Sequence, residues 1–346
     1  MKTIVFAGGG TAGHVMPNIA IIDQLKHDYN CVYVGGDGME KDICAARNIP
    51  FYRIDTVKFR RDKMLTNIGV PFKLHSCVKA AKRVLSEINP SLIFSKGGYA
   101  ALPVVLASKV PVLCHESDFS AGLATKMSKR KATKILCAFE PCAKKFKKGL
   151  YVGTPLNQSL YRGAKDLAHY GLSGSKPIVA VVGGSSGAAA VNSAVIEALP
   201  HLLQKYEVIH MTGKNKAGGA AQKGYATVEF ENDMARLYAT ADIIITRAGA
   251  NALAECIALK KPTIAIPLEK ASRGDQVQNA EYYSGCGAIK VLRESELKTL
   301  VAAVDEVYNN KYKYVSAMSC INVDGTKKIV GIIKEVIQNA ELRIKN

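Results

Sequence analysis

Two stretches of the chain carry nearly the same pattern of apolar and polar positions. Thr3–Leu25 reads TIVFAGGGTAGHVMPNIAIIDQL and Pro177–Leu199 reads PIVAVVGGSSGAAAVNSAVIEAL. Each opens with a short apolar, β-favouring run, breaks at a cluster of glycines, and continues with apolar residues at three-to-four spacing. That order of periods predicts a strand, a tight turn and a helix, twice, one domain length apart. The alternation continues after each copy. NCVYVGG, NIPFYRI, PSLIFSKGG, VPVLCHE and ATKILCAF read as strands after the first, and YEVIHMTG, YATVEF, ADIIITRAG, KPTIAIPL and GAIKVL after the second. Short apolar strands separated by helices belong to parallel sheets covered on both faces. The expected fold class is α/β, with two Rossmann-like, doubly wound parallel-sheet domains. Val152–Pro177, richer in Gly, Pro and Ser, is the expected connection, and a last helix near Thr326–Leu342 has an apolar face of Ile329, Ile332, Ile333, Val336 and Ile337.

In such sheets the ligand sits beyond the carboxyl ends of the strands. Gly8–His14, Lys96–Tyr99, His115–Asp118, Gly183–Gly187 and Arg247–Asn251 each follow an apolar run, so these loops hold the candidate chemistry. With two domains, the two sets of loops are expected to face each other across a cleft.

Composition narrows the class. The 346 residues suffice for two domains, and no apolar run approaches the ~18 residues needed to span a bilayer. The opening MKTIVFAGGG reads as a buried strand and not as a signal peptide, which suggests a cytoplasmic protein. Nine cysteines are scattered singly, with no C-x-x-C, and Cys137 and Cys142 lack the spacing and nearby histidines of a zinc site. The net charge is +18 and is uneven: residues 1–150 carry 24 basic and 11 acidic side chains, and the remainder 23 and 18. An excess in one half points to an anionic partner, whether nucleic acid, membrane or phosphorylated substrate, although a solvated basic surface gives the same count.

GGGTAGHVMPN fits G-x-G-x-x-G through Gly8, Gly10 and Gly13, a turn that can hold phosphate on backbone N–H groups. A dinucleotide enzyme also wants an acid after the second strand, where Asp37 follows two glycines. His14, in the first helical turn, is a candidate general base, since a helix N-terminus favours the neutral imidazole; a capping or packed histidine is the alternative. GGSSGA, Gly183–Ala188, is the better pyrophosphate cradle, with Ser185 and Ser186 adding hydroxyls at a helix start. Glu255 lies one helical turn beyond Asn251 and can accept both hydroxyls of a ribose, if it is not simply an exposed helix glutamate. Asp275, Gln276 and Asn279 can read sugar hydroxyls or act as caps. His115, Glu116 and Asp118 gather metal-ligand types, but E-x-D recurs at Glu40/Asp42 and Glu231/Asp233, so no protein-held metal or other cofactor is expected.

Taken together, GGGTAGHVMPNIAI, SKGGYAALPVVLAS, HESDFSAGLATK, VVGGSSGA, FENDM, RAGANALAE and ASRGDQVQNAE, in this order and spacing, resemble the MurG family of peptidoglycan glycosyltransferases over almost the whole chain. The resemblance implies the GT-B fold: an acceptor and membrane-docking domain over 1–157, a UDP-GlcNAc domain over 158–325, and a C-terminal helix, 326–346, packing back on the first. It implies inverting transfer of GlcNAc from UDP-GlcNAc to the C4 hydroxyl of N-acetylmuramic acid in lipid I, giving lipid II, at the cytoplasmic face of the membrane and with no cofactor.

Carried over by position, His14 accepts the proton, with Glu116 as competitor. Thr11, Gly13, Ser185, Gly187, Glu231, Ala250, Asn251, Glu255, Asp275 and Gln276 attend UDP-GlcNAc. Among these, Glu255 would take the ribose, Ser185 the diphosphate, Glu231–Met234 the border of the uracil, and Asp275 and Gln276 the GlcNAc hydroxyls. Gly10, Tyr99, His115 and Asp118 fall on the acceptor side. The basic, amphipathic Lys58–Arg83, with Lys58, Arg60, Arg61, Ile68, Phe72 and Leu74, matches the family's patch for the anionic membrane surface, and CAKKFKKG adds to it. Other cell-wall synthesis proteins are further partners in this reading. Nucleic acid is not, since no binding motif accompanies the charge. The chain departs from the commoner family pattern at Ala12, Asp118, Asn157, Ser186 and Ala252. Other readings of the same features are a UDP-GlcNAc 2-epimerase, a diacylglycerol glycosyltransferase, a non-catalytic UDP-sugar-binding protein and a nicotinamide oxidoreductase.

Overall fold

A computed structural model describes residues 1–56, 70–183, 188–213, 216, 218–269 and 274–345, apart from the side chains of 343–345. The chain divides into two compact units, Met1–Asn157 with Asp324–Asn346, and Gln158–Val323.

In the first unit the strands are β1 (Thr3–Ala7), β2 (Asn30–Gly35), β3 (Phe51–Arg53), β4 (Leu92–Ser95), β5 (Val112–Glu116), β6 (Lys134–Cys137) and β7 (Gly149–Tyr151). Between them run α1 (Ala12–Leu25), α2 (Met39–Ala45), α3 (Val70–Ile88), α4 (Gly98–Ala107), α5 (Leu123–Ser128) and α6 (Glu140–Ala143). The strands pair in parallel in the order β3-β2-β1-β4-β5-β6-β7. Because successive side chains alternate across a sheet, Ile4 and Phe6 of β1 join Tyr33, Leu92, Phe94, Leu113 and Leu136 on one face. Val15, Ile19 and Ile22 of α1 cover that face, while α4 packs across β1, β2 and β4.

The strand order reverses direction between β1 and β4, and such a switch point opens a crevice at the carboxyl ends of the two strands. The turns beginning at Gly8 and Lys96 sit there. β7 has no counterpart in the sequence reading: it is three residues long, half-buried, and preceded by lysines that hide any apolar pattern.

The second unit has β8 (Ile178–Val182), β9 (Glu207–Met211), β10 (Tyr225–Val228), β11 (Ile243–Thr246), β12 (Thr263–Ala265) and β13 (Lys290–Val291), in the order β10-β9-β8-β11-β12-β13. Its helices are α7 (Ala189–Lys205), α8 (Met234–Thr240), α9 (Ala250–Ala258), α10 (Asp275–Gly285), α11 (Leu300–Asn309) and α12 (Lys311–Ser319). The alternation again sorts the faces. Val179, Val181, Val208, Ile243 and Ile245 meet Val195 and Leu199 of α7 and Val304 and Val307 of α11. Ile178, Ala180, Ile209 and Ile244 meet Leu237 and Tyr238 of α8 with Leu160, Tyr170 and Leu172. Here the switch point lies between β8 and β11, at Gly183 and the start of α9.

The chain then returns to the first unit. Thr154 and Asp324 bridge, and Thr326 exchanges bonds with the backbone of Leu156 at 2.9 and 3.1 Å. From there α13 (Thr326–Lys345) lays Ile329, Ile332, Ile333, Val336 and Ile337 into the core that α1 covers.

Candidate functional site

The crevice of the first unit is made of two glycine turns in contact. Gly97 and Gly98 both adopt the left-handed region, φ +79° and +78°, which side chains with a Cβ resist. A Cβ on Gly98 would stand 3.3 Å from the Gly9 carbonyl and 3.6 Å from His14 Nδ1, so this turn lies against the first one and its histidine. Thr11 precedes α1 with extended backbone, and its hydroxyl does not cap the helix. Thr11 Oγ1 instead bonds to His14 Nδ1 at 3.0 Å, while the His14 N–H donates to the Thr11 carbonyl, also at 3.0 Å. A base acting through Nε2 would carry its proton on Nδ1, with the Thr11 hydroxyl as acceptor. Thr11, Gly10 and Gly13 are exposed, and His14 and Tyr99 are partly exposed.

The group beneath this turn does not stand out in the sequence. The Glu40 carboxylate accepts from the Gly10 N–H at 3.2 Å and from the Gly36 N–H at 3.1 Å. The available signal was a second glycine cluster, GGDG, at the end of the neighbouring strand, with an acid in the next helical turn.

The His115–Asp118 cluster does not converge on a single point. Glu116 is 8% exposed, and its carboxylate accepts from the Asp118 N–H (3.2 Å), the Gly122 N–H (2.9 Å) and the Thr125 hydroxyl (2.7 Å). With three donors it braces the 116–122 turn. His115 differs from the expectation of an acceptor contact. It is 1% exposed, with Nε2 on the Gly153 carbonyl at 2.8 Å, and so ties β5 to the segment after β7. Burial and the nearby Lys96 charge hold its pKa well below the usual imidazole range, so the ring is neutral. Lys96, which opens the candidate Lys96–Tyr99 loop, is buried at the end of β4 and donates to the Ser117 hydroxyl. Burial brings its pKa down to about 8 against the opposing pull of Glu116 and Asp118. Asp118 itself is partly exposed.

In the second unit Ser185 and Gly187 lie outside the described residues. Across the switch point, Gly249 precedes α9, which opens with buried Ala250 and partly exposed Asn251 and has no acid in its first turn. A helix start of this kind favours an anion. Glu255 follows on the same helix, its Oε2 accepting from the Tyr238 hydroxyl at 2.8 Å. Its side chain keeps some exposed surface, yet desolvation raises its pKa from 4.5 to about 7, with the Tyr238 bond opposing the rise.

Asp275 and Gln276 open α10 after Gly274, which has φ +78°. Gln276 Oε1 accepts from the Leu268 N–H at 2.9 Å, and Asn279 Nδ2 donates to the Ala248 carbonyl at 3.3 Å. The last bond joins the α10 start to the loop that begins α9. Glu231 is 5% exposed and fully engaged: Oε1 accepts from the Asp233 N–H and Arg236, and Oε2 from the Tyr170 hydroxyl. Burial alone would raise its pKa, but these donors hold it below the usual carboxylate value. Glu231 therefore shapes the turn before α8, and the neighbouring Phe230, 47% exposed, is the group that turn presents.

Of the membrane-patch residues, Lys58, Arg60, Arg61 and Ile68 lie outside the described residues. Phe72 is 81% exposed on α3, which also carries the exposed Lys73, Lys79, Lys82 and Arg83, while Leu74 is partly buried. Among the described residues no helix is long and apolar enough to cross a membrane.

Comparison with known proteins adds independent findings. Residues 4–137 match the glycosyltransferase family 28 N-terminal domain, and residues 178–335 the family 28 C-terminal domain. A protein of Lachnospira eligens, named UDP-N-acetylglucosamine–N-acetylmuramyl-(pentapeptide) pyrophosphoryl-undecaprenol N-acetylglucosamine transferase, is 42% identical over 97% of this chain and 99% of its own. A Legionella pneumophila protein of the same name is 40% identical over 96% of both. The crystal structure of Acinetobacter baumannii MurG superposes with a TM-score of 0.76 and 26% identity, covering 97% of this chain and all of that one.

Proposed function

We propose, from the premise that this chain belongs to the MurG family of glycosyltransferases, how its residues divide the work of that family's reaction. The enzyme moves N-acetylglucosamine from UDP-GlcNAc to lipid I and so makes lipid II for peptidoglycan. The first unit takes the acceptor and the second the nucleotide sugar. The observation that carries the catalytic half is the His14 imidazole, oriented through Nδ1 by Thr11 at the switch point of the first sheet. As the C4 hydroxyl oxygen of N-acetylmuramic acid attacks C1 of GlcNAc, its proton passes to His14 Nε2. The C1–O bond to UDP breaks on the opposite face and the configuration inverts.

Charge gathers on the departing diphosphate. The helix starts at the β8–β11 switch point, α9 among them, supply N–H donors for it. Glu255 accepts the ribose hydroxyls, Phe230 flanks the base, and Asp275 and Gln276 lie where the sugar would be read. Tyr99 and Asp118 remain the partly exposed acceptor-side candidates.

The first unit docks on the anionic cytoplasmic surface of the membrane through exposed Phe72 and the cations of α3. Each such cation contributes roughly 1 kcal/mol near an anionic surface.

The test is the acceptor dependence of UDP release. Incubation with UDP-GlcNAc and a lipid I analogue should yield UDP and a GlcNAc-bearing lipid in equal amounts, with neither formed without the analogue. UDP release or a changed sugar in the absence of acceptor would point to an epimerase instead.

A further inference from the structure

The first glycine turn has the sequence of a phosphate cradle, but the protein fills it with a carboxylate of its own. Glu40 is 2% exposed, and its two oxygens bond the Gly10 N–H of one turn and the Gly36 N–H of the other. The pocket around it is built by omission of side chains. A Cβ on Gly9 would lie 2.2 Å from Glu40 Oε1, and one on Gly38 2.6 Å from Oε2. Gly35 also closes on it, 3.0 Å from its Cγ. Glycines from the ends of β1 and β2 thus enclose an anion that travels with the chain. The Gly10 N–H is already spent on this carboxylate.

We infer that Glu40 is a positioning residue for the transfer reaction. Its carboxylate fixes the Gly9–Thr11 backbone, and through Thr11 Oγ1 it fixes the His14 imidazole. The path is short: Gly10 is held by Glu40, Thr11 follows it, and Thr11 bonds His14 Nδ1. Gly98 limits the other side, since a Cβ there would stand 3.3 Å from the Gly9 carbonyl oxygen and 3.6 Å from His14 Nδ1. The inference rests on His14 as the base, but its own test has a readout that does not need that reading.

Glu40→Gly removes the anion and leaves a glycine-lined slot of carboxylate size. Glu40→Gln keeps the volume and removes the charge and one acceptor. Both should lower kcat by roughly tenfold or more, while KM for UDP-GlcNAc, set mainly in the other unit, stays within about twofold. Formate should enter the slot of Glu40→Gly, raising its melting temperature and restoring part of kcat, with no such effect on the wild type. Wild-type kcat in both variants, or formate that changes neither property of Glu40→Gly, overturns the inference. Formate that restores melting temperature without kcat also overturns it, because the carboxylate would then be a brace alone. Should the wild type show no acceptor-dependent transfer, the functional reading fails. The formate-dependent melting temperature then still decides whether an intrinsic carboxylate fills this turn.

Discussion

Thr11 stands where a threonine ordinarily caps its own helix, yet its hydroxyl is turned to His14 Nδ1. The helix gives up a side-chain cap and the imidazole gains a partner that orients it through Nδ1. Thr11→Val should therefore lower kcat by roughly tenfold, and Thr11→Ser should restore most of it. Equal rates for the valine and serine variants would contradict the orientation argument.

Glu255 makes a second residue-scale prediction. Its pKa is raised by desolvation from 4.5 to about 7, so in that interval the folded protein binds a proton that the unfolded chain releases. Stability from this group is therefore lost as pH rises through the interval. Donor binding runs the other way, because the ionised carboxylate is the better acceptor for ribose hydroxyls. KM for UDP-GlcNAc should fall between about pH 6 and about pH 8 and should flatten in Glu255→Gln, as pH-dependent initial rates will read. His14 and Glu255 were both legible as candidates from their spacing after apolar runs. Glu40 and the inward turn of His115 were not. Which carboxylate fills a turn, and which histidine points into a sheet, depends on neighbours brought in from other strands.

At the scale of elements, the apolar runs delivered the α/β class and most of the strands, because a strand covered on both faces must be apolar throughout. The exceptions are physical. β7 is three half-buried residues at the sheet edge and buries too little to leave a pattern. The helical periodicity of α13 showed which residues face inward but not what they face, since amphipathicity carries no information about the partner. In the structure Ile333 is fully buried in the core shared with α1. Ile333→Ala should cost about 2–5 kcal/mol in urea unfolding. A cost within error of zero would mean that α13 is not part of the folding core of the first unit.

For the whole molecule, the excess of cations in the first 150 residues was visible as a count, but its meaning depended on where apolar side chains accompany it. Phe72 on α3 is such a place, 81% exposed beside lysines. Binding to vesicles containing phosphatidylglycerol should weaken as salt is raised and should fall further in Phe72→Asp; equal binding to neutral vesicles would contradict the docking proposal.

The central claim is that one half of the chain handles the proton and the other holds the nucleotide. Steady-state kinetics of His14→Ala and Glu255→Ala, with UDP-GlcNAc and a lipid I analogue varied separately, test it most directly. The account predicts that His14→Ala loses about 10²–10⁴-fold in kcat with KM for UDP-GlcNAc little changed, and that Glu255→Ala raises that KM far more than it lowers kcat. Near-normal kcat in His14→Ala, or an unchanged donor KM in Glu255→Ala, would contradict it.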